Sequence, residues 1–410
     1  VAARRAAAVF SGVTTTPKIA AVGLEDRDAL RVLQAALDPH AAGSGELIRR
    51  LYTRWFAIDP DVRDLFPPEL DHQRAAFGQA MHWVFGEFVA QRAQAPVSFL
   101  AQLGRDHRKY GVTEHHYVTM RDAWYSTLRS HLIDDWTTAV DDAATQAINL
   151  ITGVMAGAAD AEDGPAWWDG TVLEHHRVSR DLAVVRLHLD RPMPYHPGQY
   201  VNVQIPQWPR RWRYLSPAMP ADPDGYIEFH VRSVLGGMVS NAMVSECRPG
   251  DRWRLSSPHG AMEVNREAGD VLMVAGSTGL APLRAIIMDL CRYGDNPRVH
   301  LFFGARYPCE LYDLRTLWEI AATSPWLSVS PVSEYPADPP WAADYPDVQP
   351  PRGLHVRQTG RLPEVVTKYG GWGDRQILIC GGADMVRATR EALIAKGAPP
   401  DQIQHDPLSG

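Results

Sequence analysis

Arg213 and Ser216, in the run RWRYLS (211–216), have types and spacing that could seat a dinucleotide. A guanidinium pairs two-pronged with a pyrophosphate, and a hydroxyl a few residues on can hydrogen-bond the edge of a flavin ring. The preceding HPGQYVNVQI brings Tyr200 into the same candidate seat, beside Tyr214 and Leu215. A second phosphate seat follows in VLGGMVSNAMV (234–244). Gly236 and Gly237 let the backbone approach closely, and Ser240 stands where a helix can begin with its N–H groups toward an anion. By itself RWRYLS reads more simply as a basic turn. Two later glycine turns argue against that. GSTGLAP (276–282) has Gly276, Thr278, Gly279 and Pro282 between an apolar run and a helical one. ILICGGADM (377–385) repeats the design with Cys380, Gly381, Gly382 and Met385. Each could hold a pyrophosphate over a helix N-terminus, or be a glycine turn without a ligand. Cys380 would lie near a nicotinamide, and a buried, inert thiol is the simpler reading for it.

The elements that must position these groups fall into three stretches. Residues 25–165 carry helical signals throughout. SGELIRRLYTRWFAI (44–58) puts Leu47, Leu51, Trp55 and Ile58 on one face, with Ser44 as N-cap. Further helices are expected at 71–91, 97–110 (closed by Gly111), 113–132 and 136–159. An all-helical unit of this size is a bundle or a globin. Residues 166–265 alternate as short strands between proline and glycine turns, which predicts an antiparallel barrel. Residues 266–410 alternate strand and helix, which predicts an open α/β parallel sheet. Residues 1–24 read as a disordered tail, and 336–353 as a proline-rich surface loop.

Composition excludes several classes. The net charge of −7 gives no support for nucleic-acid binding, and no apolar run is long enough to span a membrane. The four cysteines, Cys247, Cys291, Cys309 and Cys380, form no CxxC. That spacing argues for a reducing cytoplasm, and against both a disulfide framework and a cysteine-ligated iron–sulfur cluster.

A barrel with Arg-x-x-Ser and Gly-Gly-x-x-Ser, then a sheet with GSTGLAP and CGGADM, resembles the ferredoxin–NADP⁺ reductase superfamily over residues 168–408. The resemblance implies FAD on the barrel and NADH or NADPH on the sheet. The helical unit ahead of it resembles the globin of the flavohaemoglobins. LYTRWF...P...LF (51–66) is similar to that family's B helix and places Tyr52 over a haem b. HQRAAF (72–77) is similar to its E helix, with Gln73 in the distal position and Phe77 one turn on. LGRDHRKYGVTEHHY (103–117) resembles its F helix, with His107 as proximal iron ligand. Read without the resemblance, His107 is one of 16 histidines, Tyr52 could be core and Gln73 merely exposed. His115 and His116 are rivals, but lie past the Gly111 turn.

Three positions depart from the family pattern. Leu215 stands where the family has the tyrosine of Arg-x-Tyr-Ser, with Tyr214 displaced by one. Leu408 replaces a C-terminal aromatic. Tyr117 is present near the proximal histidine, but its glutamate partner falls at Ala161, between Asp160 and Glu162. The resemblance implies electron flow from NAD(P)H through FAD to haem and nitric oxide dioxygenation, with O₂ and NO as further small-molecule substrates. Tyr52 and Gln73 would then be hydrogen-bond donors toward dioxygen. Alternatives are a flavin reductase whose haem serves other electron traffic, and a gas sensor. Arg306, in FFGAR, could meet an adenosine 2′-phosphate or be structural; NADH is the expected donor.

Overall fold

The computed structural model describes residues 24–406, apart from 42, 93, 341–354 and 371. The chain divides into two compact units at 167/168. Leu408 lies outside the described residues, as do 1–23 of the expected tail and most of the 336–353 loop. Leu24, assigned to that tail, is buried in the first unit's core.

The first unit is all helical: α1 (Arg27–Ala36), α2 (Ser44–Ile58), α3 (Asp71–Val89), α4 (Gln94–His107), α5 (Glu114–His131) and α6 (Thr138–Asp160). Along α2, Leu47, Leu51 and Trp55 are buried, whereas Ile58, its last residue, is exposed. Ser44 is not the N-cap. Gly43 holds that place at φ 93°, and the Ser44 hydroxyl instead donates back to the Ala41 carbonyl at 3.1 Å. Helix α1 was not marked separately in the sequence; Asp26 caps it through the Asp28 and Ala29 amides. Helix α4 stops at His107, and a 3₁₀ turn, Arg108–Tyr110, runs on to Gly111 at φ 80°. It crosses α6 so closely that a Cβ on Gly104 would lie 2.1 Å from the Met155 carbonyl oxygen. Only glycine lets two helix backbones meet at that separation.

The second unit opens with six antiparallel strands, β1 (Trp168–Arg177), β2 (Leu182–Leu189), β3 (Val201–Gln204), β4 (Trp212–Leu215), β5 (Tyr226–Arg232) and β6 (Arg252–Leu255). Their order is β4-β3-β6-β1-β2-β5, and the bridge from Pro217 to Phe229 nearly closes them into a barrel. Inward residues include Val185, Leu187, Val201, Val203, Phe229 and Trp253. RWRYLS is thus largely a strand rather than a loop, because β3 gives it a ladder partner. The short helix α7 (Met238–Ser245) follows the Gly236-Gly237 turn, starting two residues before Ser240.

Six parallel strands complete the unit: β7 (Val271–Gly276), β8 (Val299–Ala305), β9 (Leu327–Ser333), β10 (Gln358–Thr359), β11 (Gln376–Cys380) and β12 (Ile403–Gln404). Helices α8 (Leu280–Leu290), α9 (Leu314–Thr323), α10 (Leu362–Thr367) and α11 (Ala383–Ala395) connect or flank them. A parallel sheet covered on both faces reads as unbroken apolar sequence. VLMVAG divides accordingly: Met273 and Ala275 enter one core, Leu272 and Val274 the other. The order β10-β9-β8-β7-β11-β12 reverses direction between β7 and β11. Open sheets hold their ligands at that switch point, outside the carboxyl ends of the strands.

A buried charge cluster ties barrel to sheet. Glu228 on β5 accepts from Arg186 at 2.8 Å and pairs with Arg284 of α8 at 3.2 Å. Burial would raise its pKa, but the His230 bond and the Arg284 and Arg186 guanidiniums hold it at about 2. His230 also meets the Tyr312 hydroxyl at 2.7 Å. Among the described residues no helix is long and apolar enough to cross a membrane.

Candidate functional site

In the helical unit, Tyr52 is buried on α2 in a nest of Trp55, Phe56, Phe66 and Phe77, all within 6.3 Å between ring centres. Burial pushes its pKa up, opposed by the neighbouring Gln73 amide and the charge of Arg74. It is therefore a protonated hydrogen-bond donor at any ordinary pH. Gln73 and Arg74 both come from the first turn of α3, and the Arg74 guanidinium lies 6.0 Å from the Tyr52 ring centre.

His107 ends α4. Its Nδ1 lies 2.6 Å from the Leu103 carbonyl one turn back, so that ring nitrogen carries the proton. Nε2 has no hydrogen-bond partner among the described residues and keeps its lone pair. Burial lowers the imidazole pKa, and the Leu103 bond only partly offsets that. A neutral imidazole with one nitrogen tied to a carbonyl and the other open is what iron ligation requires. Tyr117 on α5 is buried with no partner for its hydroxyl, and burial pushes its pKa to about 12. No hydrogen bond joins it to His107 among the described residues. Glu162, one of the two acids beside Ala161, is drawn to Arg105 at 3.8 Å.

On the barrel, alternation along β4 sets Arg213 and Leu215 on one face, opposite Val203 and Val201 of β3. Leu215 packs against the barrel core, while exposed Arg213 donates to the Trp212 carbonyl at 2.8 Å. Tyr214 projects from the other face and meets Tyr200 edge-on at 5.3 Å. Asn202, across from Tyr214, is buried with its Nδ2 unpartnered. Ser216 follows β4 directly. Gly236 adopts φ 76°, and Ser240 locks the turn, donating to the Gly237 carbonyl at 3.0 Å.

On the sheet, the loops after β7 and β11 interlock. A Cβ on Gly279 would lie 2.3 Å from the Cys380 carbonyl oxygen, and one on Gly276 or Gly381 would strike Met385. Thr278 is in the 3₁₀ turn Ser277–Gly279, Pro282 is buried in α8, and Gly382 caps α11. Beside them opens a cleft of about 550 Å³ along the strands' carboxyl ends. Gly276, Ser277, Gly382 and Met385 line one end; Arg306, Glu334 and Arg361 line the side toward β8, β9 and β10. The cleft therefore carries both signs of charge on that side. Cys380 is buried, its thiol pushed well up by burial and 3.4 Å from the Met262 sulfur, an arrangement that leaves it unreactive.

The sequence matches the globin family over residues 49–155, the oxidoreductase FAD-binding domain over 169–264 and the oxidoreductase NAD-binding domain over 273–391. It is 33% identical over 241 residues to a Ralstonia sp. ferredoxin–NAD(P)(+) reductase component of naphthalene 1,2-dioxygenase/salicylate 5-hydroxylase systems, covering 58% of this chain and 67% of that one. The solved flavohemoglobin of Malassezia yamatoensis, with bound FAD and heme, matches at a TM-score of 0.68 over 93% of this chain and 99% of that one. This chain belongs to the FAD- and NAD-binding oxidoreductases, in the flavohaemoglobin arrangement. At 15% identity the Malassezia likeness is one of fold. The DmpP reductase component of phenol 2-monooxygenase from Pseudomonas sp. (strain CF600) is 32% identical, over 53% of this chain and 58% of that one. The chain thus spans about three fifths of that relative.

The cofactors of this flavohaemoglobin-like chain are haem, FAD and a nicotinamide dinucleotide. The residues present suit all three: an open His107 Nε2, the exposed Arg213 on one face of β4 with the orphaned Asn202 amide of β3 opposite Tyr214 on the other, and the cleft at the switch point. Three residues with evident influence carried no sequence signal. Arg74 acts on Tyr52 only because two helices meet. Arg232 reaches Ser277 across 45 residues. Asp406 lies beside Gly260 and acts on Cys380, and burial raises its pKa to about 7.

Proposed function

We propose that the protein is an NAD(P)H-dependent flavohaem oxidoreductase whose reaction is nitric oxide dioxygenation, turning NO and O₂ into nitrate. The observation that carries this reading is the globin unit's pairing of a histidine having one open nitrogen with a protonated Tyr52–Gln73 couple. When bound, the nicotinamide supplies hydride, the flavin divides two electrons into single ones, and the haem supplies ferrous iron for gas chemistry. Arg213 would hold the flavin pyrophosphate. The interlocked loops at Gly279 and Cys380 would orient the nicotinamide, and Tyr52 and Gln73 would donate to dioxygen. Mixed charge at Arg306, Glu334 and Arg361 leaves NADH the expected donor.

A second reading is a reductase whose haem serves other traffic. Two features favour it. Among the described residues the His107 Nδ1 is bonded to a carbonyl and to no carboxylate, so the imidazole is less electron-rich than one bonded to an acid. The curated relatives above are named as reductase components. Anaerobic mixing with NADH, following flavin and haem bands separately, and then NO consumption in air separates the two. Fast haem reduction with nitrate formed in step with NO loss supports dioxygenation. Flavin reduction without NO turnover would leave the reductase reading. His107→Ala should lose most haem while flavin content stays normal; an unchanged Soret band in that variant would sink the ligand assignment.

A further inference from the structure

Ser277 is held at φ 54°, a left-handed conformation that any residue bearing a Cβ adopts at a cost. It follows β7 directly, where a glycine would adopt that angle freely. The side chain accounts for the serine. Arg232, the last residue of β5 in the barrel, donates from Nη1 to the Ser277 oxygen at 2.8 Å. The rest of the guanidinium is already engaged: Nε donates to Asp181 at 2.9 Å, and Nη2 to Glu310 at 2.7 Å. Glu310 in turn accepts from the Arg306 and Tyr307 amides, so the same arginine also braces the turn after β8. Arg232 lines the same cleft, but its charge is shared between two carboxylates and each of its nitrogens already donates, so the free donor toward an anion there is not the guanidinium. Ser277 differs. Its oxygen accepts from Arg232, which leaves the hydroxyl proton without an acceptor among the described residues. Ser277 lines the cleft at the switch point, just ahead of α8, where an anion is expected.

We propose that the Ser277 hydroxyl, aimed by Arg232, donates a hydrogen bond to the pyrophosphate of the bound nicotinamide dinucleotide. Arg232 is then a positioning residue that acts through Ser277. This rests on reading the cleft as the nicotinamide seat.

The test uses the full chain loaded with FAD, and NADH as the probe. Ser277→Gly removes the hydroxyl and relieves the backbone, so its thermal midpoint should match or exceed that of the parent. Its KM for NADH should rise roughly tenfold, the effect of one hydrogen bond to a charged group, while flavin reduction at saturating NADH changes little. Ser277→Ala should show the same KM with a lower midpoint. Arg232→Met should raise KM in the parent and add little in the Ser277→Gly background, because the group it positions is gone; Arg232→Lys should fall between. An unchanged KM in Ser277→Gly overturns the proposal alone. An equal penalty for Arg232→Met in both backgrounds overturns the relay, since Arg232 would then contact the dinucleotide itself. A parent that accepts hydride from neither NADH nor NADPH sinks the cleft reading, and this inference with it.

Discussion

The two candidate dinucleotide seats of the second unit are both marked by glycine and a polar partner, yet they are built differently. The barrel seat consists of surface groups. Arg213 is exposed, Leu235 beside the Gly236-Gly237 turn is fully exposed, and a Cβ on Gly236 would meet nothing within 4 Å. In the sheet seat Gly279 is enforced by the Cys380 peptide itself, while Gly276 and Gly381 are crowded by the Met385 side chain. The two glycine motifs therefore differ in packing: Gly236 faces open space and Gly237 presses on Val234 and Ser240 of its own turn, whereas Gly279 meets the backbone of a distant loop. Variants in the second should damage the fold before they damage affinity, and variants in the first the reverse.

The largest expected effect comes from Gly279→Ala. Its Cβ would press on backbone that cannot rotate away, and overpacking of this kind costs about 1–3 kcal/mol, occasionally more. Chemical denaturation should show the loss without any nicotinamide present, while Gly236→Ala, strained only in its φ, should lose less. Equal stability of Gly279→Ala and the parent would erase the distinction. Next is Arg213→Ala. Loss of a charge-assisted contact of about 1.5–3 kcal/mol should weaken FAD roughly ten- to a hundredfold, with an unchanged unfolding midpoint for the flavin-free chain. Flavin fluorescence during dialysis reads the first quantity, and full retention would remove the pyrophosphate from this seat.

A third effect depends on pH and lies at Asp406, whose pKa burial raises from 3.8 to about 7. The unfolded chain loses this proton near pH 4 and the folded chain keeps it to about pH 7. Stability from this group therefore falls as pH rises across that window, and is level above it. Asp406→Asn should be more stable than the parent at pH 8 and equal to it near pH 3. Parallel midpoint-versus-pH curves for the two proteins would contradict the burial of this carboxyl.

Much of the architecture was legible from periodicity. Helix α2 spans 44–58 as expected because its apolar stripe is local. The doubly buried strands showed as unbroken apolar runs, and strand followed by glycine followed by helix placed both sheet loops. What one chain segment does to another was not legible. Ser44 looked like a cap, but Gly43 turned the backbone so that its hydroxyl faced Ala41. RWRYLS looked like a loop until β3 offered it hydrogen bonds. The displacement of Tyr214 from the family tyrosine was visible; its edge-on contact with Tyr200 was not.

The sequence by itself determined which segments would be helix or strand and which residues carry chemistry, because these depend on neighbours a few positions away. Only the tertiary structure decided why Gly279 must lack a side chain, and that a barrel arginine grips a left-handed serine in the sheet. Those outcomes depend on atoms 45 to 101 residues apart meeting within about 3 Å, and no local pattern encodes such a meeting.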